Sequence, residues 1–320
     1  MNDSIPAAGR LVLAASTGGH LAQLARMAPS LGADEDSLWI TFESPQSRSL
    51  LADRDVLYVP YVSPRDVRGV FGARKLIDEH LSAFASRYDG VVSTGAAVAL
   101  SAFTARSTRK LPHLYVESVS RTRGPSLTGR IVAAAHLASL RTQHKGWETS
   151  RWHYAGSVLD EYDTSLTHGD PPARPRIFVT LGTIRPYRFD ALVDAVLATG
   201  LAGDDTVWQL GATERHDLPG HMVSQISAKE FEYHARSADV VITHAGVGTI
   251  MQLLDWGKAP LVVPRRRSSG EHVDDHQSLI ADLLRERRIG VVRTVDELDA
   301  SAILDSSRRL TVPRAAILNG

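Results

Sequence analysis

Three glycine-containing turns, two of them carrying a histidine, each follow an apolar run in this 320-residue sequence. The first is ASTGGHLAQL (15–24). Gly18 and Gly19 allow a backbone to approach a ligand closely, and His20 opens a helical pattern. An imidazole there is suited to take a proton from an incoming hydroxyl, because its ordinary pKa lies near neutrality. The same residues also fit a tight strand-to-helix turn with an incidental histidine. The second turn is VTLGT (179–183), with Gly182 and Thr183, a weak signal by itself. The third, DVVITHAGVGTIMQLL (239–254), runs from an apolar strand through His244, Gly246, Gly248 and Thr249 into an amphipathic helix. Amides at such a helix start would meet a diphosphate, with His244 reaching it from the strand end. A purely structural turn is the alternative.

A polar loop, VPRRRSSGEHVDDHQSLIADLL (263–284), gathers Glu271, His272, Asp274, Asp275, His276 and Gln277 where it enters a helix. Mixed donors and acceptors at that density suit the hydroxyls of a sugar. His272 and His276 are four apart and could share a metal, but no third ligand has matching spacing, so no metal site is expected. A solvated acidic first turn is the plainer reading. The Asp-x-Asp pairs Asp34/Asp36 and Asp53/Asp55 sit in charged connectors and read as surface.

These residues need a scaffold that ends strands beside helix starts. In the first half, 11–15, 38–42, 56–61, 90–94 and 113–117 read as strands, with helical spacing over 20–31, 46–53, 72–88 and 96–107. In the second half, 177–182, 206–211, 239–244, 259–264 and 290–294 read as strands. Helices are expected over 189–199, 229–237, 247–257, 273–287 and 296–308. Continuous apolar strands alternating with helices predict parallel sheets covered on both faces. The expected architecture is α/β, two Rossmann-like domains (1–160 and 177–320) facing a cleft. Residues 161–176, rich in Pro, Asp, Gly and Thr, read as the linker.

Lys+Arg and Asp+Glu both number 36, which argues against a nucleic-acid binder. Basic residues nevertheless crowd 121–151 and recur at Arg265, Arg266 and Arg267. Without cysteine there are no thiolate nucleophiles, disulfides or cysteine-ligated zinc. The first residues lack the charged and apolar regions of a signal peptide, and no apolar run approaches the ~20 residues of a spanning helix. A cytoplasmic protein is expected. The basic stretch beside apolar 131–140 suits peripheral contact with the inner face of an anionic membrane, or else a buried helix with ordinary surface arginines.

The stretches IFVTLGT, SADVVITHAGVGTIMQLLDWGKAPLVVP and DDHQ resemble the C-terminal donor domain of family-28 glycosyltransferases, which have the GT-B fold. STGGHLAQL, VVSTGAAVAL and YVESVSRTRGPSLTGRI (115–131) look like the membrane-recruiting subunit of the eukaryotic pair that adds the second N-acetylglucosamine to dolichol diphosphate. The second half resembles that pair's catalytic subunit, so the chain is similar to a fusion of the two, as in bacterial exopolysaccharide and capsule transferases. The resemblance implies a UDP-sugar donor with its diphosphate held at Gly182–Thr183 and His244–Thr249. It implies ribose or sugar contacts from Glu271, His276 and Gln277, and His20 as general base. Gly18, Gly19, Glu117, Arg121 and Ser126 would line the acceptor side. One departure is Gln252, standing where many GT-B enzymes use a glutamate on the ribose; an amide lacks the charge-assisted bonds of a carboxylate.

The implied chemistry is a single inverting displacement. It carries GlcNAc, glucuronic acid or galactose to a lipid-diphosphate-linked acceptor, with domain closure over the donor and no required cofactor. Two rivals share the architecture or its parts. A nucleotide-sugar 2-epimerase would need several cleft carboxylates, and only Glu117 and Glu271 are candidates. A non-catalytic recruiting partner would not need an intact donor half.

Overall fold

The computed structural model describes residues 9–63, 66–167, 169–182, 186–271 and 276–313, apart from the side chains of His276 and Pro313. The chain divides into two compact units, Met1–Val158 and Leu159–Gly320.

The first unit alternates β1 (Leu11–Ala15), α1 (Gly19–Met27), β2 (Leu38–Phe42), α2 (Pro45–Leu50), β3 (Asp55–Val59) and α3 (Val67–Leu81). It continues with β4 (Gly90–Gly95), α4 (Ala97–Thr104), β5 (His113–Val116), α5 (Leu127–Ala134), β6 (Ser139–Thr142) and β7 (Trp152–Tyr154). The strands form one parallel sheet in the order β3-β2-β1-β4-β5-β6-β7. Strand β1 shows why its apolar run is unbroken. Val12 and Ala14 pack with Ile77, Val98 and Phe103 on one face, while Leu11, Leu13 and Ala15 pack with Leu21 and Leu24 on the other. With side chains alternating, a strand sandwiched between two helix layers must be apolar at every position.

The second unit opens with β8 (Tyr162–Leu166), then β9 (Ile177–Thr180), α6 (Asp190–Ala198), β10 (Val207–Gln209), β11 (His221–Val223), α7 (Ala228–Ser237) and β12 (Val240–Thr243). It closes with α8 (Val247–Asp255), β13 (Leu261–Val262), α9 (His276–Arg287), β14 (Val291–Val292), α10 (Ala300–Ser307) and β15 (Arg309–Pro313). Its parallel sheet runs β11-β10-β9-β12-β13-β14, and β8 pairs with β15 in a separate antiparallel ribbon. Ile177 and Val179 face one core while Phe178 faces another, repeating the logic of β1.

Both large sheets have the doubly wound order, with a reversal of winding between β1 and β4 and again between β9 and β12. Crevices at such reversals, beyond the strands' carboxyl ends, are where ligands bind in this class. The expected two Rossmann-like sheets are therefore present, with differences of detail. Part of the stretch read as linker is β8, which hydrogen-bonds along β15. Strands β6, β7 and β11 are three or four residues long, too short to leave a periodic signal. Asp34, Asp36, Asp53 and Asp55 are exposed, as expected of connector residues. No helix among the described residues is long and apolar enough to cross a membrane.

Candidate functional site

In the first unit the chain leaves β1, turns at Gly18 (φ 89°) and enters α1, so His20 lies in the first helical turn beside the end of β4. Gln46 clamps the turn: the Gly18 N–H donates to Gln46 Oε1 at 2.6 Å, and Gln46 Nε2 donates back to the Gly18 carbonyl at 3.2 Å. The half-buried His20 ring is 2.7 Å from the Thr94 carbonyl through Nδ1. A carbonyl only accepts, so Nδ1 carries the proton and Nε2 of the neutral ring keeps its lone pair. Thr94 Oγ1 donates to the His20 carbonyl at 2.8 Å, closing the clasp. Burial pushes the His20 pKa below the ordinary 6.5; the Thr94 carbonyl works the other way, and the Arg121 cation adds to the lowering. The ring is thereby kept unprotonated at neutral pH.

Gly95 and Ala96 complete this corner. A Cβ on Gly95 would lie 2.9 Å from His20 Cε1 and 3.1 Å from the Tyr115 hydroxyl, and its φ is +121°. Ala96 holds φ 62° and ψ −178°, a region nearly reserved for glycine. Thr94, Gly95 and Ala96 fall in the VVSTGAAVAL stretch without an assigned role, and Gln46 was not singled out by the sequence. The pairing of β1 with β4, a tertiary fact, brings the end of β4 beside the His20 turn, and Gln46 reaches that turn from α2.

Of the other acceptor-side residues, Gly19 starts α1 and its carbonyl accepts from Gln23 Nε2 at 2.9 Å. Glu117 is fully buried. Its Oε1 accepts from Ser118 N–H (3.2 Å) and the Tyr115 hydroxyl (3.3 Å). Its Oε2 accepts from Ser126 N–H (2.8 Å) and Ser126 Oγ (3.0 Å). Burial raises its pKa, opposed by the bonds from Ser126 and Ser118 and by Arg121. This carboxylate braces the segment from β5 to α5. Ser126 caps α5, accepting from Gly129 N–H at 3.0 Å, and the half-buried Arg121 is held through its carbonyl by Trp147 Nε1 at 2.9 Å.

In the second unit, Gly182 follows β9, and the next residues, beginning with Thr183, lie outside the described residues. His244 follows β12 and Gly246 is the N-cap of α8, with Gly248 and Thr249 in that helix's first turn. A Cβ on Gly246 would come within 2.5 Å of His244 Nε2. A Cβ on Gly182 would meet His244 Nε2 at 3.2 Å and Arg265 Nη1 at 3.1 Å. So these two glycines make room for an imidazole and a guanidinium. Gln252 is half-buried on α8.

The loop after β13 is fastened from within. Glu271 Oε2 accepts from the Arg266 N–H at 2.9 Å, and Gln277 Oε1 accepts from the Arg265 N–H at 3.0 Å. Both side chains are buried, so each oxygen shapes the loop. His272, Asp274 and Asp275 and the side chain of His276 lie outside the described residues. Among the described residues, no group of three or more His, Asp or Glu is placed to hold a metal.

Residues 195–301, within the second unit, match the glycosyltransferase family 28 C-terminal domain. Among solved structures the chain is similar to MurG of Acinetobacter baumannii, at 16% identity and TM-score 0.52 over 92% of this chain and 88% of that one. It is similar to the glycosyltransferase SnogD from Streptomyces nogalater, at 20% identity and TM-score 0.50 over 93% and 90%. It is also similar to the UDP-GlcNAc 2-epimerase from Methanocaldococcus jannaschii, at 11% identity and TM-score 0.54 over 94% of each chain. Likeness at these identities establishes the fold, which is GT-B. No curated protein matches the sequence. The second unit thus carries a glycosyltransferase domain, and the reversal of its sheet brings Gly182 and His244 to one point.

Proposed function

We propose that the chain is an inverting glycosyltransferase. It moves a sugar (GlcNAc, glucuronic acid or galactose) from a UDP-sugar to a hydroxyl of a polyprenyl-diphosphate-linked saccharide, in cell-surface polysaccharide synthesis. The observation that carries this reading is the family-28 domain match over 195–301, whose span contains the His244–Gly246 turn. A fusion of acceptor and donor modules, like the two subunits of the eukaryotic dolichol-diphosphate enzyme, fits the order of the units.

The acceptor hydroxyl attacks the anomeric carbon while its proton passes to His20 Nε2. The carbon–phosphate-oxygen bond breaks, UDP leaves with the electron pair, and an α-linked donor gives a β-glycoside. Donors at Gly182, Thr183, His244 and the α8 amides from Gly246 to Thr249 stabilise the leaving diphosphate, without a metal. Gln252, His276 and the loop held by Glu271 and Gln277 contact the nucleoside and sugar. Gly18, Gly19, Arg121 and the Glu117–Ser126 segment form the acceptor side.

Contact with a membrane surface is supported by α5. Leu127 and Ile131 are 55% and 41% exposed, and Arg130 between them is exposed on the same face.

The test incubates purified protein with a panel of UDP-sugars and a polyprenyl-diphosphate saccharide in the presence of EDTA, reading products by mass spectrometry and anomeric NMR. The expected result is one β-linked product with EDTA harmless. Epimerised UDP-sugar without acceptor would favour the epimerase, and no binding of UDP a recruiting partner.

A further inference from the structure

One charged side chain in the second unit has no role in the account above. Arg265 leaves the carboxyl end of the sheet just after β13 and is 1% exposed. Its guanidinium lies over the Phe189 ring at 5.4 Å, and its hydrogen bond to the Gly182 carbonyl is long, at 3.4 Å. Nε has no hydrogen-bond partner among the described residues, and no ion pair joins Arg265 to any described carboxylate. Glu271 acts on it only at longer range, its Oε2 being taken by the Arg266 N–H. A guanidinium buried with no ion-pair partner among the described residues is costly unless an anion reaches it. Desolvation pushes its pKa down to about 10, against the pull of Glu271, so it is still a cation at neutral pH.

The geometry gives the partner's chemistry. Arg265 Nη1 and His244 Nε2 both pack against Gly182, lying 3.1 and 3.2 Å from where a Cβ on that glycine would stand. They come from the ends of two neighbouring strands, β12 and β13, and the first turn of α8 follows directly. Two nitrogen-bearing groups beside a helix start suit a compact anion with several oxygens.

We propose that Arg265 is the fixed cation of the donor site, binding an oxygen of the nucleoside diphosphate beside His244 and above Gly182. The inference rests on the donor-site reading given under Proposed function. It assigns to Arg265 the charge neutralisation that a divalent metal supplies in other transferases, and it makes the site selective for diphosphate over the bare nucleoside.

The test is calorimetric titration of the wild type, Arg265→Met and Arg265→Lys with UDP, uridine and inorganic pyrophosphate, with unfolding midpoints measured in parallel. Arg265→Met keeps the contact with Phe189 and removes the charge. It is expected to weaken UDP and pyrophosphate by about 10- to 100-fold. Uridine affinity should be unchanged and the unfolding midpoint of the free protein equal or higher, since an uncompensated buried charge has gone. Arg265→Lys, which keeps the charge but not the fork, should fold and bind UDP with intermediate affinity, and it decides the matter if the methionine variant does not fold. Unchanged UDP affinity in the folded variants overturns the inference, as does an equal loss for uridine and UDP, which would make Arg265 a shaper of the pocket. If the wild type binds pyrophosphate through Arg265 but neither UDP nor uridine, the donor-site reading falls and the anion site stands. If it binds none of the three, both fall.

Discussion

At His20 the atom that matters is Nε2, and Thr94 decides its state. Because the Thr94 carbonyl holds the Nδ1 proton, the neutral ring offers a lone pair rather than an N–H. His20→Ala should lower turnover by ~10²–10⁴ while leaving UDP affinity nearly unchanged, measured by steady-state kinetics and calorimetry; unaltered turnover would remove His20 as the base. The wild-type pH profile should be flat through neutrality and fall only below the ordinary imidazole value of 6.5, since the folded pKa is lowered. Linkage has the same sign: the stability His20 contributes is present above its unfolded pKa and is lost as pH falls through the folded one. At Gly246 the backbone (φ −80°) would accept any residue, so the constraint is steric, from His244 Nε2 at 2.5 Å. Gly246→Ala should therefore fold, cost about 1 kcal/mol at the cap, and raise the donor KM by roughly tenfold as the imidazole is displaced.

At the scale of elements, the segment from β5 to α5 is held by buried polar groups. Glu117 accepts from the fixed N–H groups of Ser118 with one oxygen and of Ser126 with the other. Above it, Gln23 of α1 accepts from Val119 N–H at 2.8 Å and from Gln143 Nε2 at 2.9 Å, tying the His20 helix to the same segment. In Glu117→Gln one of the two N–H donors must face an amide NH₂. The variant should lose about 1–3 kcal/mol by denaturant titration with UDP affinity intact. Full stability together with a raised acceptor KM would instead make Glu117 a ligand contact.

At the scale of the whole molecule, each unit has its own sheet and its own pair of cores. Scanning calorimetry should then resolve two unfolding transitions. UDP at ~100 times its Kd should add about 2.7 kcal/mol to the transition of the second unit alone, a shift of roughly 5–11 °C. A single transition moving as one would refute independent unfolding of the two units.

The sequence by itself determined the periodicity of the strands and the turns that follow them. Apolar runs such as LVLAA, alternating with helical patterns, read as strands buried on both faces, and that alternation predicts parallel sheets without any coordinates. Glycines and histidines at strand ends were visible for the same local reason. What the glycines accommodate was not. Gly182 and Gly246 read as gaps for a diphosphate, and the packed chain fills part of that space with His244 and Arg265. Glu117, Glu271 and Gln277 were legible as polar residues near the site, yet burial commits their oxygens to backbone N–H groups several residues away. Arg265 was one of three consecutive arginines without an assigned role until the strand order put it beside Gly182. Spacing along a chain reports which face a residue shares with its neighbours. Only the crossing of strands at the two reversals of winding decides which distant residues meet there, because that depends on pairings 60 to 80 residues apart.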